Sequence, residues 1–181
     1  MLTITVPASE QWDESKQEFV YTKECTLELE PSLVSLYKWE SKWCKPFNSK
    51  NEKTYEETID YIRCMTLTQN VDPNVYYGLT SENVQQVEAY IYAPMTATTI
   101  SRRNNKTFGP KETITSELIY YWMIALNIPF ECQKWHLNRL ITLIEVCNIK
   151  NSPPKKLSRN ELLMRNTELN AQRRKALNSK G

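Results

Sequence analysis

At 181 residues, with 40% hydrophobic and 24% charged side chains, the chain has the size and balance of one globular domain with room for an appendage, not of a disordered polymer. No stretch reaches the roughly 18 uninterrupted apolar residues of a membrane span. The net charge of +2 conceals an asymmetry: residues 1–150 hold 15 Lys+Arg against 19 Asp+Glu, net −4, and residues 151–181 hold 8 against 2, net +6.

The N-terminus, Met1 to Val6 followed by Pro7, Glu10, Asp13 and Glu14, has neither the basic start nor the apolar core of a signal peptide, so a cytosolic protein is expected. Five cysteines, Cys25, Cys44, Cys64, Cys132 and Cys147, are odd in number, widely spaced and without a Cys-x-x-Cys pair. They are expected to be small buried residues in a reducing compartment, not a disulfide framework.

Alternation of apolar and polar residues in "LTITV" (2–6), "EFVYT" (18–22) and "CTLELE" (25–30) predicts two or three antiparallel strands. Pro31 ends them. Leu33, Leu36, Tyr37, Trp39 and Trp43 then fall at helical spacing over about 32–44, stopped by Pro46. A second helix opens at Thr54, whose pairing with Glu57 reads as a capping box, and buries Ile59, Ile62, Met65 and Tyr55. A third starts near Ser81, carries Val84, Val87 and Ile91, and ends before Pro94. "SRRNNKTFGPKE" (101–112) reads as a loop, with "TATTI" before it and "ETIT" after it as candidate short strands.

The two most apolar segments follow. "TSELIYYWMIALN" (115–127) is apolar around most of its circumference and is expected to be a central helix. "PFECQKWHLNRLITLIEVCN" (129–148) is expected to form one helix with Phe130, Leu137, Leu140, Ile141, Ile144 and Cys147 as its stripe. The expected core is Trp122, Leu126, Leu137, Leu140 and Ile144, with Leu33, Leu36 and Ile62 against them. After "NSPPKK", a second capping box, Ser158 with Glu161, opens a basic helix running to about Leu177. The predicted fold is therefore mainly α: a small N-terminal antiparallel β element and a helical domain over 1–150, and a basic C-terminal helical tail over 151–181.

Catalytic chemistry has little to build on. Three glycines, Gly78, Gly109 and Gly181, exclude a glycine-rich phosphate loop or a dinucleotide fingerprint. The one histidine, His136, stands four residues after Cys132, which on a helix would place a thiol and an imidazole on one face. No orienting acid or oxyanion donor lies near in sequence, so helix packing is the expected role. Glu56, Glu57 and Asp60 sit in the first turns of a helix, where they suit cap and dipole. Trp39 and Trp43 with Lys38, Lys42 and Lys45 form a packing stripe or, less favoured, a base-stacking platform. Residues 115–148 carry the outline of a helix-turn-helix, with Lys134, His136, Asn138 and Arg139 as its reading residues, but the loop lacks glycine and the body is acidic. No catalytic residue, metal site or cofactor is expected.

Two groups of segments together carry a resemblance: "LYKWESKWCKPF" with "YEETIDYIRCMT", and "SELIYYWMIALNIPFECQKWHLNRLITLIEVCNIKN" with the closing "LNAQRRKALNSKG". In order and wording they resemble the tail assembly chaperones of long-tailed bacteriophages. The resemblance implies a non-enzymatic protein that coats the tape measure protein and keeps it soluble until tail tube subunits displace it. It implies the host cell cytoplasm as location, absence from the mature virion, and a longer frameshift product and self-association as further partners. Membrane and nucleic acid are not among the partners it implies. Detached by Pro153 and Pro154, the tail then has a use: a helix that is marginal alone folds on a partner, and Leu162, Leu169, Arg173, Arg174 and Lys175 are its candidate binding residues. The alternatives are a structural tail or head-tail component of the virion and a small nucleic-acid-binding regulator.

Overall fold

The computed structural model describes residues 1–13, 17–48, 53–100, 113–152 and 159–177. The protein is mainly α with a small antiparallel β element at its N-terminus. It divides into two compact units, Met1–Asn148 and Ile149–Gly181.

Four strands precede the first helix: β1 (Leu2–Val6), β2 (Ser9–Asp13), β3 (Glu18–Thr22) and β4 (Cys25–Leu29). The strand β2 has no counterpart in the sequence reading, because "SEQWD" carries no apolar alternation. β1 pairs with β4 from Leu2↔Leu29 to Val6↔Cys25, and β2 pairs with β3 from Ser9↔Thr22 to Asp13↔Glu18. Both ladders keep one register, so they are two halves of one long hairpin, interrupted at 7–8 and 23–24. Pro7, which lacks an amide proton, stands at the break.

Ile4, Val6, Leu27 and Leu29 of the inner half enter the first of two apolar cores. Ser32 caps helix α1 (Leu33–Trp43) in a capping box with Ser35, and Cys44 closes it at φ 51°. Thr54 and Glu57 form the expected box at the start of α2 (Tyr55–Met65). Ile59, Ile62 and Met65 are buried there, whereas Tyr55 shares their spacing but, as the first residue of the helix, is 61% exposed. A 3-10 turn (Pro73–Gly78) leads to α3 (Ser81–Tyr92), which buries Val87. Trp39 joins α1 to this core, and its indole N–H donates to the carbonyl of Glu57 at 2.9 Å.

The opposite side of α1 supplies Leu33 and Leu36 to a second core with Ile119 and Met123 of α4 (Ser116–Ala125) and Leu140 and Ile144 of α5 (Leu137–Asn151). Ile62 belongs to the first core, not to this one. Trp122, Leu126 and Leu137 are half-buried at its edge. Helix α4 is not central: Tyr121 and Ile124 are each 62% exposed, because α1 and α5 cover only its Ile119–Met123 side. Residues 96–100 and 113–115 are irregular, not strands, and the loop 101–112 lies outside the described residues, as does the Ser158 capping box.

The single helix expected over 129–148 is two elements, a 3-10 turn (Phe130–Lys134) and α5. Between them the chain is extended so that His136 pairs with Ser32 and the Leu137 N–H donates to the Pro31 carbonyl at 2.7 Å. Phe130, on the turn, is 52% exposed and no part of the stripe. Cys132 is the buried cysteine, Cys44 is exposed, and Cys25, Cys64 and Cys147 lie between. Burial and the nearby Asp60 push the Cys64 thiol above its ordinary pKa, which leaves it a poor nucleophile.

The side chain of Glu40 is the polar junction of the two cores. One carboxylate oxygen accepts the Phe47 N–H at 2.9 Å, and the other accepts the Ser116 N–H at 2.7 Å. Thr115, at the N-cap of α4, makes no side-chain cap, so this carboxylate serves the start of α4 in its place.

Leu140→Ala should cost about 2–5 kcal/mol in urea unfolding, the range for emptying a fully buried site. Glu40→Ala should cost about 2 kcal/mol or more by orphaning two amide groups, while Glu117→Ala at the exposed side of the same helix start should cost well under half as much.

Candidate functional site

His136 and Cys132 do not form a helical pair. His136 Nδ1 accepts the Asn138 N–H at 3.2 Å, which caps α5 and places the proton on Nε2, and Nε2 donates to the Tyr90 carbonyl at 3.0 Å. Asn138 Nδ2 donates to the carbonyls of Ile91 and Ala93 at 2.9 and 2.7 Å. Together the two side chains close the C-terminus of α3: Asn138 serves the Ile91 and Ala93 carbonyls, and His136 adds to the Ala93 N–H already on the Tyr90 carbonyl. Both ring nitrogens of His136 are thus occupied, and the ring stands edge-on to Tyr90 at 5.0 Å. Arg139 lies over Trp135, 4.4 Å from the ring centroid. The helix-turn-helix reading loses its residues to these contacts: of its four, His136 is buried and Asn138 and Arg139 are engaged within the fold.

The aromatic-basic stretch of α1 resolves in the same direction. Trp39 is fully buried. The Trp43 indole donates to Asp60 at 3.0 Å, Lys42 pairs with the other Asp60 oxygen, and Lys45 pairs with Glu57. The acidic residues of α2 therefore pair with α1 through Lys42 and Lys45, whose side chains stay partly exposed. The Glu57 carboxyl is held below its ordinary pKa first by the hydrogen bond from Lys45, which outweighs the opposing effect of burial, and then by the Thr54 N–H.

Among the described residues no three His, Cys, Asp or Glu side chains come close enough to hold a metal ion, and no helix is long and apolar enough to cross a membrane. A cavity of about 610 Å³ opens between α2 and α3, lined by Phe47, Tyr61, Ile62, Val87 and Tyr92 with Lys53 and Glu88. The Lys53 ammonium lies 4.1 Å from the Phe47 ring centroid, and burial holds it below its ordinary pKa. The lining is mainly apolar and aromatic, with Thr58, Lys53 and Glu88 as its polar side chains.

The candidate binding residues of the tail stand on α6 (Arg159–Leu177). Seven-residue and four-residue spacings put the backbone positions of Leu162, Leu169 and Arg173 on one side of the helix. Arg174 and Lys175, at successive steps of about 100°, fall on other sides, so the five residues do not form a single face. Leu169 is 39% exposed, and Leu163, Met164 and Leu177 are more exposed still. Apolar and basic side chains alternate around the whole helix instead of segregating. The side chain of Leu162 lies outside the described residues.

A second open surface went unread in the sequence. On the outer half of the hairpin, Trp12, Phe19 and Tyr21 share one face and are 52%, 55% and 71% exposed. Trp12 and Phe19 are cross-strand partners in edge-on contact at 4.9 Å. Glu10 accepts a hydrogen bond from the Tyr21 hydroxyl, which raises the Tyr21 pKa. The signal was present as aromatic residues in a short charged run, but without β2 there was no face to assign them to.

Comparison with known protein families, curated proteins and solved structures finds no match.

Because the folded-state pKa of Glu57 lies below its unfolded value, the Lys45–Glu57 pair contributes stability above the unfolded carboxylate range and loses it as pH falls through the folded value. Urea midpoints should therefore decline below about pH 4.3, and the decline should be shallower in Lys45→Met.

Proposed function

We propose that this chain is a non-enzymatic tail assembly chaperone of a long-tailed bacteriophage, which binds the tape measure protein and keeps it in solution while the tail forms. The reading starts from the similarity of residues 36–47, 55–66, 116–151 and 169–181 to that family. The observation that carries it is α6, a helix of 19 residues that leaves Leu163, Met164 and Leu177 open to solvent among Arg165, Arg173, Arg174 and Lys175. A helix with apolar and basic groups on every side has no preferred docking angle. It suits a long helical client that must be held at many places without strict sequence demands. Dispersed charge also keeps such a helix soluble before the client arrives.

The nucleic-acid alternative gains nothing from the body, where Lys42, Lys45 and Arg139 are engaged in intramolecular contacts. On the proposed reading the protein acts in the host cytoplasm, and its partners are the tape measure protein and the longer frameshift product.

The test is co-expression with the tape measure protein and measurement of the soluble client. Leu162→Ser with Leu169→Ser should lower the soluble fraction at any salt, by loss of apolar burial worth about 25 cal/mol per Å². Charge reversal at Arg173, Arg174 and Lys175 should lower it most at low ionic strength, where screening is weakest. Chain termination after Pro154 should combine both losses while near-ultraviolet circular dichroism shows the body still folded. A folded truncation that keeps the client as soluble as the full chain does would overturn the role given to the tail, and abundant copies in purified particles would favour the structural alternative.

A further inference from the structure

The long hairpin has one apolar strip that is only half covered. By strand parity, Val6 and Ile4 lead to Trp12, and Leu27 and Cys25 lead to Tyr21 and Phe19. In the inner half this side enters the first core, with Ile4, Val6, Leu27 and Leu29 at 2% exposure or less. Beyond the break at Pro7 the buried side changes: Thr22 is 7% exposed, and the three aromatic residues face solvent. The body holds only the root of the outer half. Ser9 approaches the 3-10 turn so closely that a Cβ on Gly78 would stand 2.7 Å from its Oγ, and Ser9 Oγ and Thr22 Oγ1 lie 2.8 Å apart. A two-stranded ladder with an uncovered aromatic face is marginal in water by itself, yet the Trp12–Phe19 contact presets the rings.

The charge around this face narrows its partner. Residues 1–30 contain seven Asp or Glu and two Lys, a net −5; Glu10 stands on the aromatic face itself, paired with Tyr21, and Glu18 and Glu28 are exposed on the other side of the hairpin. A second copy of the hairpin would bring like charge against like. The complementary surface is a basic segment with open aliphatic groups, and the chain carries one: residues 151–181 at net +6, with Leu163, Met164 and Leu177 uncovered on α6. Arginine on the face of Trp or Tyr adds cation–π attraction to the Coulombic term.

We infer that the Trp12–Phe19–Tyr21 face of the acidic hairpin is a docking surface for the C-terminal helix of a second copy of this chain. The contact is heterologous, arm to tail, so a bound pair still offers one free arm and one free tail, and association extends with concentration instead of stopping at a dimer. The inference stands apart from the chaperone reading, since its test contains no client.

Sedimentation analysis of the full chain, nuclease-treated, should show mass that rises with protein concentration and falls as salt rises. Trp12→Ser with Tyr21→Ser should weaken association about tenfold or more, as should R173E/R174E/K175E. Each variant is checked for an unchanged fold by near-ultraviolet circular dichroism and urea midpoint. The deciding arm is the charge swap: E10K, on the aromatic face, alone weakens association, and combined with R173E/R174E/K175E it should lose less than the two separate losses together, a coupling that independent sites do not give. A concentration-independent monomer, including one whose tail folds back on its own arm, overturns the inference. So does association that survives the arm variants, or a charge swap whose two losses simply add.

Discussion

One buried carboxylate joins the turn after α1 to the start of α4. Glu40 is 7% exposed, and its two oxygens take the amide protons of Phe47 and Ser116. Burying a carboxylate costs several kcal/mol unless its lone pairs are met, and here both partners are backbone groups that would themselves be unmet. The Ser116 amide belongs to the first turn of α4, where the helix dipole adds to the attraction. The same side chain therefore closes the turn after α1 and sets the start of α4, 76 positions along the chain. Because α1 feeds Trp39 to one core and Leu33 and Leu36 to the other, this junction holds α4 to the second core at one end of its buried side.

The local signals of the chain were legible in its sequence, and the non-local ones were not. Thr54 with Glu57 announces α2 because a capping box is closed by residues three apart. The α1 stripe is readable for a similar reason, apart from Tyr37, which the helical spacing includes and the fold leaves 47% exposed. By contrast, the break at His136 arises from pairing with Ser32 across about a hundred residues. Nothing in "QKWHLN" marks it, and a continuous apolar pattern on both sides argues for one helix. The exposure of Tyr121 and Ile124 is unreadable for a different reason. Composition says that a helix is apolar all round; it does not say how many neighbours arrive to cover it.

The residues that looked chemical in the sequence are spent on backbone and packing. His136 and Asn138 close α3, the Trp43 indole and Lys42 satisfy Asp60, and Lys45 satisfies Glu57. Such groups become structural when a fold has many helix ends and few glycines to terminate them: α3 stops before Pro94, with Ala93 extended at its cap, and its carbonyls are met from another element. Open apolar surface among the described residues includes the aromatic hairpin face, the Tyr121–Ile124 side of α4, and α6.

Open apolar surface ordinarily invites aggregation, and the distribution of charge decides whether it does so here. The hairpin face sits in an acidic segment and the C-terminal helix in a basic one, so each repels its own kind and attracts the other. On the arm-to-tail inference, this arrangement replaces indiscriminate apolar collapse with contacts that are weak singly, salt-sensitive and additive along a chain of copies. On the proposed function that balance is what a displaceable coat needs. Many modest contacts hold a long client while all are present, and they yield one at a time when a tighter-binding subunit advances from one end. A single deep pocket on a single rigid site would instead release its client all at once or not at all.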